Sequence, residues 1–247
     1  MNGKPEVTAL AAASAPQPRP LRRDAERNRR LILEAAKVVF AQRGLDASLD
    51  EIAREADLGV GTVYRRFPNR DALIDALFDD MADSIKRIAD EAVTRPRGWD
   101  GLVYFMTALL ESQAHDKGLR DALIAQQAHL HEVGREKSQV IREVVQPMLT
   151  DLVSRAQQEG ELRSDLAPTD IGVLLIAGVC MLEFTAPVAT EHWRRHLSIV
   201  LDGLRARPDG ANTPLAEPPL DDDQIDACMQ GWKYSTREVV RGRSKAP

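Results

Sequence analysis

The sequence predicts an all-α protein, and three observations support this fold class. Apolar residues recur at helical spacing in the segments between residues 21 and 207, and no segment alternates apolar and polar residues as a half-buried strand does. Only five of the 14 prolines lie in this region, so helices can run there without interruption. The chain has 247 residues, 43% of them hydrophobic, which is enough to bury a core.

Composition excludes several classes of protein. No apolar run approaches the roughly 20 residues that a membrane-spanning helix requires, so we expect no membrane partner. No basic segment followed by an apolar one stands at the start, which predicts a cytoplasmic protein. The cysteines, Cys180 and Cys228, are far apart and form no CxxC motif, which excludes a disulfide framework and a cysteine-rich zinc site.

Charge and proline divide the chain into regions. Residues 19–70 carry 12 basic and 8 acidic side chains, a net charge of +4, although the whole chain has a net charge of −5. A basic region of this kind suits a polyanionic partner such as nucleic acid. Proline is concentrated at the two ends, so we expect a disordered tail over residues 1–20 and a mostly flexible tail over residues 208–247.

The region between the tails is predicted to form successive helices. In the first, apolar residues from Ile32 to Phe40 follow the spacing i, i+3, i+4, i+7, i+8, and the helix ends at Gly44. Further helices are predicted over about 70–93, 99–113, 119–131, 135–158, 168–188 and 191–207. Pro147 lies inside one of these segments and is expected to kink that helix.

Residues 47–67, ASLDEIAREADLGVGTVYRRF, predict two short helices joined by a tight turn. Ser48 can cap the first helix, and Glu51, three residues later, completes a capping box. Asp57 and Gly59 belong to the turn, because Asp tolerates a left-handed backbone and Gly begins a helix without steric cost.

The second of these helices has few residues that could face a core. Val63 and Phe67 are the expected anchors, and the other face is small, polar and basic, formed by Gly61, Thr62, Tyr64, Arg65 and Arg66. This face suits a DNA major groove, where Gly61 permits close approach and the hydroxyls donate to phosphate. Arg65 or Arg66 would contact guanine or phosphate, and the residues alone leave both open. An ordinary α-hairpin with solvated charges is the alternative.

This segment resembles the TetR family of bacterial transcriptional regulators. Residues 52–73, IAREADLGVGTVYRRFPNRDAL, follow the family pattern IA..AGVSKGTLYRHFPSKEAL without a gap, and the resemblance covers about residues 24–80. The chain departs from the pattern in having Asp57 in place of the turn glycine, Gly59 in place of Ser, Val60 in place of a polar residue and Arg70 in place of Lys. The operator sequence is therefore not carried over from the family.

The resemblance implies DNA contacts by Ser48, Gly61, Thr62, Tyr64, Arg66 and Arg70. From their position we add Arg65 and Val60, whose apolar side chain suits a thymine methyl group. Arg22 and Arg23 belong to a basic arm with Arg19, Arg27, Arg29 and Arg30, which we expect to follow the DNA backbone or enter the minor groove. The alternative for this arm is a solvated run of charges.

Members of the family bind near-palindromic operators as dimers, so the resemblance implies a homodimer. Residues 170–184 are apolar nearly all round, which suits a helix covered on several sides, and Gly172 and Gly178 permit close helix approach. The expected interface comprises Leu174, Leu175, Val179, Leu182, Trp193, Leu197, Val200 and Leu204. A single buried core helix is the alternative for this segment.

The resemblance further implies a helical regulatory domain with an internal pocket for a small-molecule effector that the sequence does not identify. Candidate lining residues are Tyr104, Phe105, Met106, His129, Met148, Cys180 and Phe184. Ordinary core packing is the alternative role for each of them.

Motifs for catalysis or cofactor binding are not found. His192 and His196 stand at i and i+4, but no fitting third metal ligand lies near them in the sequence. The G-x-S-x-G and phosphate-loop patterns are absent, so we expect no enzyme, no cofactor and no metal site.

The sequence thus predicts a three-helix helix-turn-helix DNA-binding domain over residues 21–70 and a helical ligand-binding and dimerisation domain over residues 71–207. The predicted function is that of a homodimeric repressor released from its operator by a small molecule. The alternative is an activator, or a regulator whose C-terminal domain binds a protein partner.

Overall fold

The computed structural model describes residues 20–115, 140–207, 210–225 and 227–228. Between residues 20 and 207 its α-helices are α1 (Pro20–Arg43), α2 (Leu49–Glu55), α3 (Val60–Arg66), α4 (Arg70–Val93), α5 (Gly98–His115), α6 (Gln146–Gln158), α7 (Pro168–Thr185) and α8 (Trp193–Leu204). Within these ranges no strand forms, and one isolated bridge joins Leu162 to Arg205. The all-α prediction is therefore confirmed. The helix predicted over 119–131 lies outside the described residues.

The first hydrophobic core joins α1, α2, α3 and the first half of α4. Ile32, Ile52, Val63 and Leu73, one from each helix, are 0% exposed. Local signals also fix the boundaries of the two long helices in this core. α1 ends at Arg43, just before Gly44, whose φ of +78° suits glycine, and α4 begins where the Asn69 side chain accepts a hydrogen bond from the backbone N–H of Ala72 at 2.8 Å.

The second core joins the rest of α4 with α5, α6, α7 and α8. Its largest fully buried side chains include Trp193, Phe105, Leu102 and Met106. α5 crosses α6 closely at Gly98, because a Cβ atom there would lie 2.4 Å from the backbone nitrogen of Ala156. The absence of a side chain at this position therefore sets the distance between the two helices.

α4 belongs to both cores. Leu73, Leu77 and Met81 pack in the first core, whereas Ala89 and Ala92 pack in the second. The first core consequently continues past residue 70, the end proposed for the DNA-binding domain, because the first turns of α4 complete it. One continuous helix of 24 residues thus connects the two halves of the molecule.

Two local features lie where the sequence suggested a kink and a long last helix. A π-helical turn, Ile141–Val145, immediately precedes α6 and Pro147. Proline has no N–H to continue the α-helical pattern, which fits an irregular turn at this point. α8 ends at Leu204, three residues before the predicted end, because the chain then pairs with residues 161–163: the Ala206 N–H donates to the Glu161 carbonyl at 2.9 Å.

Candidate nucleic-acid interface

The start of α2 is fixed by a capping box between Ser48 and Glu51. The Glu51 N–H donates to Ser48 Oγ at 3.3 Å, and the Ser48 N–H donates to Glu51 Oε2 at 2.8 Å. This backbone hydrogen bond is the main reason that the pKa of Glu51 lies below its usual value. Arg43 also pairs with Glu51 and so links the end of α1 to α2. The predicted capping box is confirmed.

The turn between α2 and α3 depends on Asp57. Its φ of +51° is the one positive value among the described residues other than glycine. A short polar side chain tolerates this left-handed conformation, as the sequence indicated. Leu58 then packs against the first core, and its N–H donates to the Ala53 carbonyl at 3.0 Å. The turn therefore determines the direction in which α3 begins.

α3 is anchored on one side and open on the other. Val63 is 0% exposed and Phe67 is 5% exposed, so both predicted anchors are confirmed. Val60, one turn before Val63, is 40% exposed, and Tyr64 is 46% exposed. Gly61, Arg65 and Arg66 are exposed as well, and Thr62 is half-buried. We call Val60, Gly61, Thr62, Tyr64, Arg65 and Arg66 the α3 face.

The two arginines of the α3 face differ in their surroundings. Arg65 donates from Nη2 to Thr62 Oγ1 at 3.2 Å, within the same helix. Arg66 forms no hydrogen bond or ion pair in the part of the chain that the structure describes. An arginine held by no other protein group can meet a base or a phosphate without first breaking an internal contact.

Arg70 lies at the first position of α4 and is already engaged. Its Nη1 donates to the Leu45 carbonyl at 2.9 Å and to Asp46 Oδ1 at 3.2 Å. The side chain thus ties the start of α4 to the connection between α1 and α2. Because a guanidinium carries five N–H donors, these bonds leave donors for the phosphate contact that the sequence predicts.

The basic arm is helical from Pro20 onward. Arg23, Arg27 and Arg30 are exposed. Among the α1 side chains that the structure describes, which begin at Arg23, Ile32 is the first buried one, so about two turns of the helix precede the core. Arg22 lies in the first turn of α1, and its side chain is outside the described part of the structure.

The residues expected at a dimer interface have two different environments. Leu175, Leu182, Trp193, Leu197 and Leu204 are buried in the second core of the same chain, at 1–7% exposure, and cannot offer surface to a partner. Leu174, Val179 and Val200 are half-buried. The exposed apolar side chains of this region are others: Val173 at 42%, Phe184 at 85%, Val188 at 94% and Ile199 at 58%. α7 is apolar nearly all round, so its sequence did not separate its two faces.

The residues expected to line an effector pocket are likewise divided. Phe105, Met106 and Met148 are buried in the second core, whereas Cys180 and Phe184 are exposed, and His129 lies outside the described residues. Tyr104 is half-buried, and its hydroxyl donates to Glu91 Oε2 at 2.7 Å. This hydrogen bond raises the pKa of Tyr104. Core packing thus accounts for three of the seven positions.

His192 and His196 lie at the start of α8 and contact each other. The rings of His192 and His196 meet edge to face, with centroids 4.9 Å apart. Over the residues the structure covers, no three His, Cys, Asp or Glu side chains lie close enough to hold a metal ion. Over the same ranges, no helix combines the length and apolar character needed to cross a bilayer.

Two family descriptions match the two halves of this architecture. Residues 32–77, which contain α2, α3 and the start of α4, match the bacterial regulatory proteins of the tetR family. Residues 98–206, from α5 to the end of α8, match the SbtR-like transcriptional regulator C-terminal domain. The regulator YhgD of Bacillus subtilis is 41% identical over 66 residues, which are 26% of this chain and 35% of YhgD. The chain thus aligns with about a third of the length of that relative.

Solved structures match over a longer range. The TetR transcription regulatory protein of Mycobacterium vanbaalenii is 33% identical, with a TM-score of 0.58, and the match covers 76% of this chain and 100% of that one. SCO0520 of Streptomyces coelicolor is 34% identical, with a TM-score of 0.58, and the match covers 72% and 98%. The helix-turn-helix and the helical domain that follows it both match this family, and each of these two solved structures matches over both parts. The protein is therefore a DNA-binding transcriptional regulator of the TetR family.

Proposed function

We propose that the protein is a homodimeric repressor that binds a near-palindromic operator in the cytoplasm and leaves it when a small-molecule effector binds. The observation that carries this proposal is the α3 face, where hydroxyls and guanidinium groups are exposed beside two buried anchors, Val63 and Phe67. Buried anchors hold the helix, while the exposed groups are free to enter a major groove.

DNA contacts are assigned by chemistry. The hydroxyls of Ser48, Thr62 and Tyr64 donate to phosphate, and Gly61 lets the backbone approach the duplex. Arg65 and Arg66 contact guanine or phosphate, and Arg70 contacts phosphate with the donors that Leu45 and Asp46 do not use. Arg22 and Arg23 contact the DNA backbone or the minor groove beside the half-site.

Dimerisation is assigned to the outer surfaces of α7 and α8. Val173, Phe184, Val188 and Ile199 are exposed apolar residues on or beside these helices. Together they would leave a patch of apolar surface in water, which a second copy of the chain would cover. Leu174, Val179 and Val200, which are half-buried against the second core, are proposed to contribute their remaining exposed area. A twofold axis here would present two α3 faces to successive major grooves, roughly 34–36 Å apart.

Effector action is assigned to α4, because this helix contributes side chains to both cores. We place the effector among α5 and α6, near Phe105, Met106 and Met148, next to the second half of α4. A ligand that favours one arrangement of the second core would shift α4 and with it the first core. A 100-fold loss of operator affinity requires about 2.7 kcal/mol of discrimination between the two arrangements, which is within the usual range for allosteric proteins.

The test begins with selection of duplexes from a random-sequence pool by the purified protein. We expect an enriched near-palindromic site bound by two protomers, as measured by gel shift and by sedimentation of the complex. A metabolite panel screened by thermal shift then identifies compounds for competition with the operator. Failure to enrich any sequence overturns the proposal. A regulator that binds its operator, ignores every metabolite and captures a purified partner protein instead would favour the protein-interaction alternative.

The sign of regulation is tested separately, in a reporter strain that carries the selected operator in front of a promoter. We expect expression to fall when the protein is present and to recover when the effector is added. Expression that rises with the protein would assign an activator.

A further inference from the structure

Val60 stands out on the α3 face as an apolar side chain at the start of a helix that otherwise offers hydroxyls and guanidinium groups. It is the first residue of α3 and is 40% exposed. It does not belong to the first core, although Val63, three residues later, is 0% exposed. Packing in the free protein therefore leaves a large part of this side chain uncovered.

Both neighbours of Val60 are glycines, and the fold requires neither of them. A Cβ atom on Gly61 would meet no atom within 4 Å, and one on Gly59 would lie 3.9 Å from Thr62 Oγ1, which is an ordinary contact. Gly59 has a φ of −63°, which any residue adopts, and it gives α3 no side-chain cap. The isopropyl group of Val60 thus projects between two residues that have no side chains.

This arrangement suits a close approach by a base edge. The residues before and after Val60 have no side chains, so Val60 is the one apolar group at the N-terminal end of α3. Recognition helices contact base edges with their N-terminal residues. The edges of the base pairs in the major groove display donors, acceptors and a single kind of apolar group, the C5 methyl group of thymine. The valine side chain has no hydrogen-bonding group for a phosphate or for the donors and acceptors of a base edge.

Resting on the DNA-binding function proposed above, we infer that Val60 is a specificity-determining residue that packs against the C5 methyl group of a thymine in each half-site. Arg65 and Arg66, at the other end of the seven-residue helix, then supply the charged contacts. Burial of a methyl group contributes roughly fourfold to affinity at each half-site.

The test uses operators in which a single thymine is replaced by deoxyuridine, a change that removes only the C5 methyl group. Starting from the selected operator, each thymine of the half-site is replaced in turn, symmetrically in both halves. We expect one position where the dissociation constant rises by about fourfold per half-site. The Val60→Ala variant should bind the thymine operator more weakly than the wild type does, by a similar factor. This variant should bind the deoxyuridine operator as tightly as it binds the thymine operator.

Val38→Ala is the matched control, because Val38 on α1 is 41% exposed and loses the same atoms. This variant should keep the full effect of deoxyuridine. Two results would overturn the inference while the selected operator still binds: no thymine shows the effect, or the effect persists unchanged in Val60→Ala. If the wild-type protein selects no DNA at all, the proposed function itself fails, so the two failures are distinguishable.

Discussion

At the scale of single residues, Arg66 is the side chain whose role in DNA binding can be tested most directly. It is exposed and has no partner among the described residues. Arg66→Ala should therefore leave the fold unchanged and lower operator affinity by about 1 to 3 kcal/mol, as expected for loss of a charge-assisted contact. Fluorescence anisotropy with the selected operator measures the loss. Arg87→Ala on α4 is the control, since Arg87 is also exposed and its removal changes the charge equally.

The loss of affinity, compared among operator sequences, distinguishes a guanine contact by Arg66 from a phosphate contact. If the guanidinium contacts guanine, Arg66→Ala relaxes the preference at one position of each half-site. If it contacts phosphate, affinity falls equally for all sequences. The slope of log affinity against log salt concentration then becomes shallower by about one for each lost contact. Equal affinity of Arg66→Ala and the wild type would remove Arg66 from the interface.

Ser48 contributes to stability independently of any DNA contact. Loss of the hydroxyl in Ser48→Ala should lower the free energy of unfolding by about 1 kcal/mol, because the Glu51 N–H loses its side-chain acceptor. Urea unfolding in the absence of DNA measures this change. Ser164→Ala is the control, since Ser164 is exposed, lies between helices and loses the same atom. Equal stability of Ser48→Ala and the wild type would contradict a capping role.

The capping box also predicts a pH dependence. The pKa of Glu51 is lower in the folded chain than in the unfolded one, so its carboxylate stabilises the fold above about pH 4.3, the usual pKa of Glu. This contribution is lost as the pH falls through the lower, folded pKa. Glu51→Gln should therefore be less stable than the wild type at neutral pH, and the difference should shrink in acid. A difference that stayed constant down to pH 2 would contradict this assignment.

At the scale of helices, local signals were readable in the sequence and long-range contacts were not. The bounds of α4, 70–93, were predicted correctly, because Asn69 is a strong N-cap and the apolar stripe is regular. The end of α8 was predicted too late, because Leu204 is followed by a pairing with residues 161–163 that periodicity does not record. α7 was predicted to reach Val188 but ends at Thr185, two residues before Pro187, which cannot continue a helix.

The close crossing of α5 and α6 makes Gly98 a sensitive position. In Gly98→Ala the new Cβ would lie 2.4 Å from the Ala156 nitrogen and 2.8 Å from the Leu152 carbonyl oxygen, so the helices must separate. We expect the free energy of unfolding to fall by about 1 to 3 kcal/mol. Urea unfolding at a fixed protein concentration measures this change.

Gly61→Ala is the matched control for this crossing, because Gly61 also lies near the start of a helix but faces open space. Alanine there should leave stability unchanged or raise it by up to about 1 kcal/mol, since it restricts the unfolded chain. If Gly98→Ala were as stable as Gly61→Ala, the crossing distance would not depend on the missing side chain.

At the scale of the whole molecule, the sequence could not show which apolar residues are covered by the chain itself. α7 is apolar nearly all round, so Leu175 and Leu182 looked equivalent to Val173 and Phe184. In the structure the first pair is buried at 7% and 2% exposure and the second is exposed at 42% and 85%. Only the packing of α7 against its neighbours makes this distinction, which is why the proposed dimer surface differs from the predicted one.

Phe184 provides the decisive test of that surface. Because its side chain is 85% exposed in a single chain, Phe184→Glu should not disturb the core, but it places a charge where a second copy is proposed to pack. We expect a monomer in sedimentation velocity at micromolar concentration. Affinity for the full operator should fall by more than tenfold, since two linked half-sites no longer bind together, while affinity for an isolated half-site should not change.

Leu220→Glu is the matched control, because Leu220 is also an exposed apolar residue, at 38%, but lies beyond α8 in the C-terminal segment. It should remain a dimer with full operator affinity. A dimeric Phe184→Glu would contradict the proposed surface, because a buried glutamate without a partner costs several kcal/mol. A monomeric Phe184→Glu that still bound the full operator as tightly as the wild type would instead show that pairing of protomers is not needed for recognition, and the proposal of two α3 faces in successive grooves would fail.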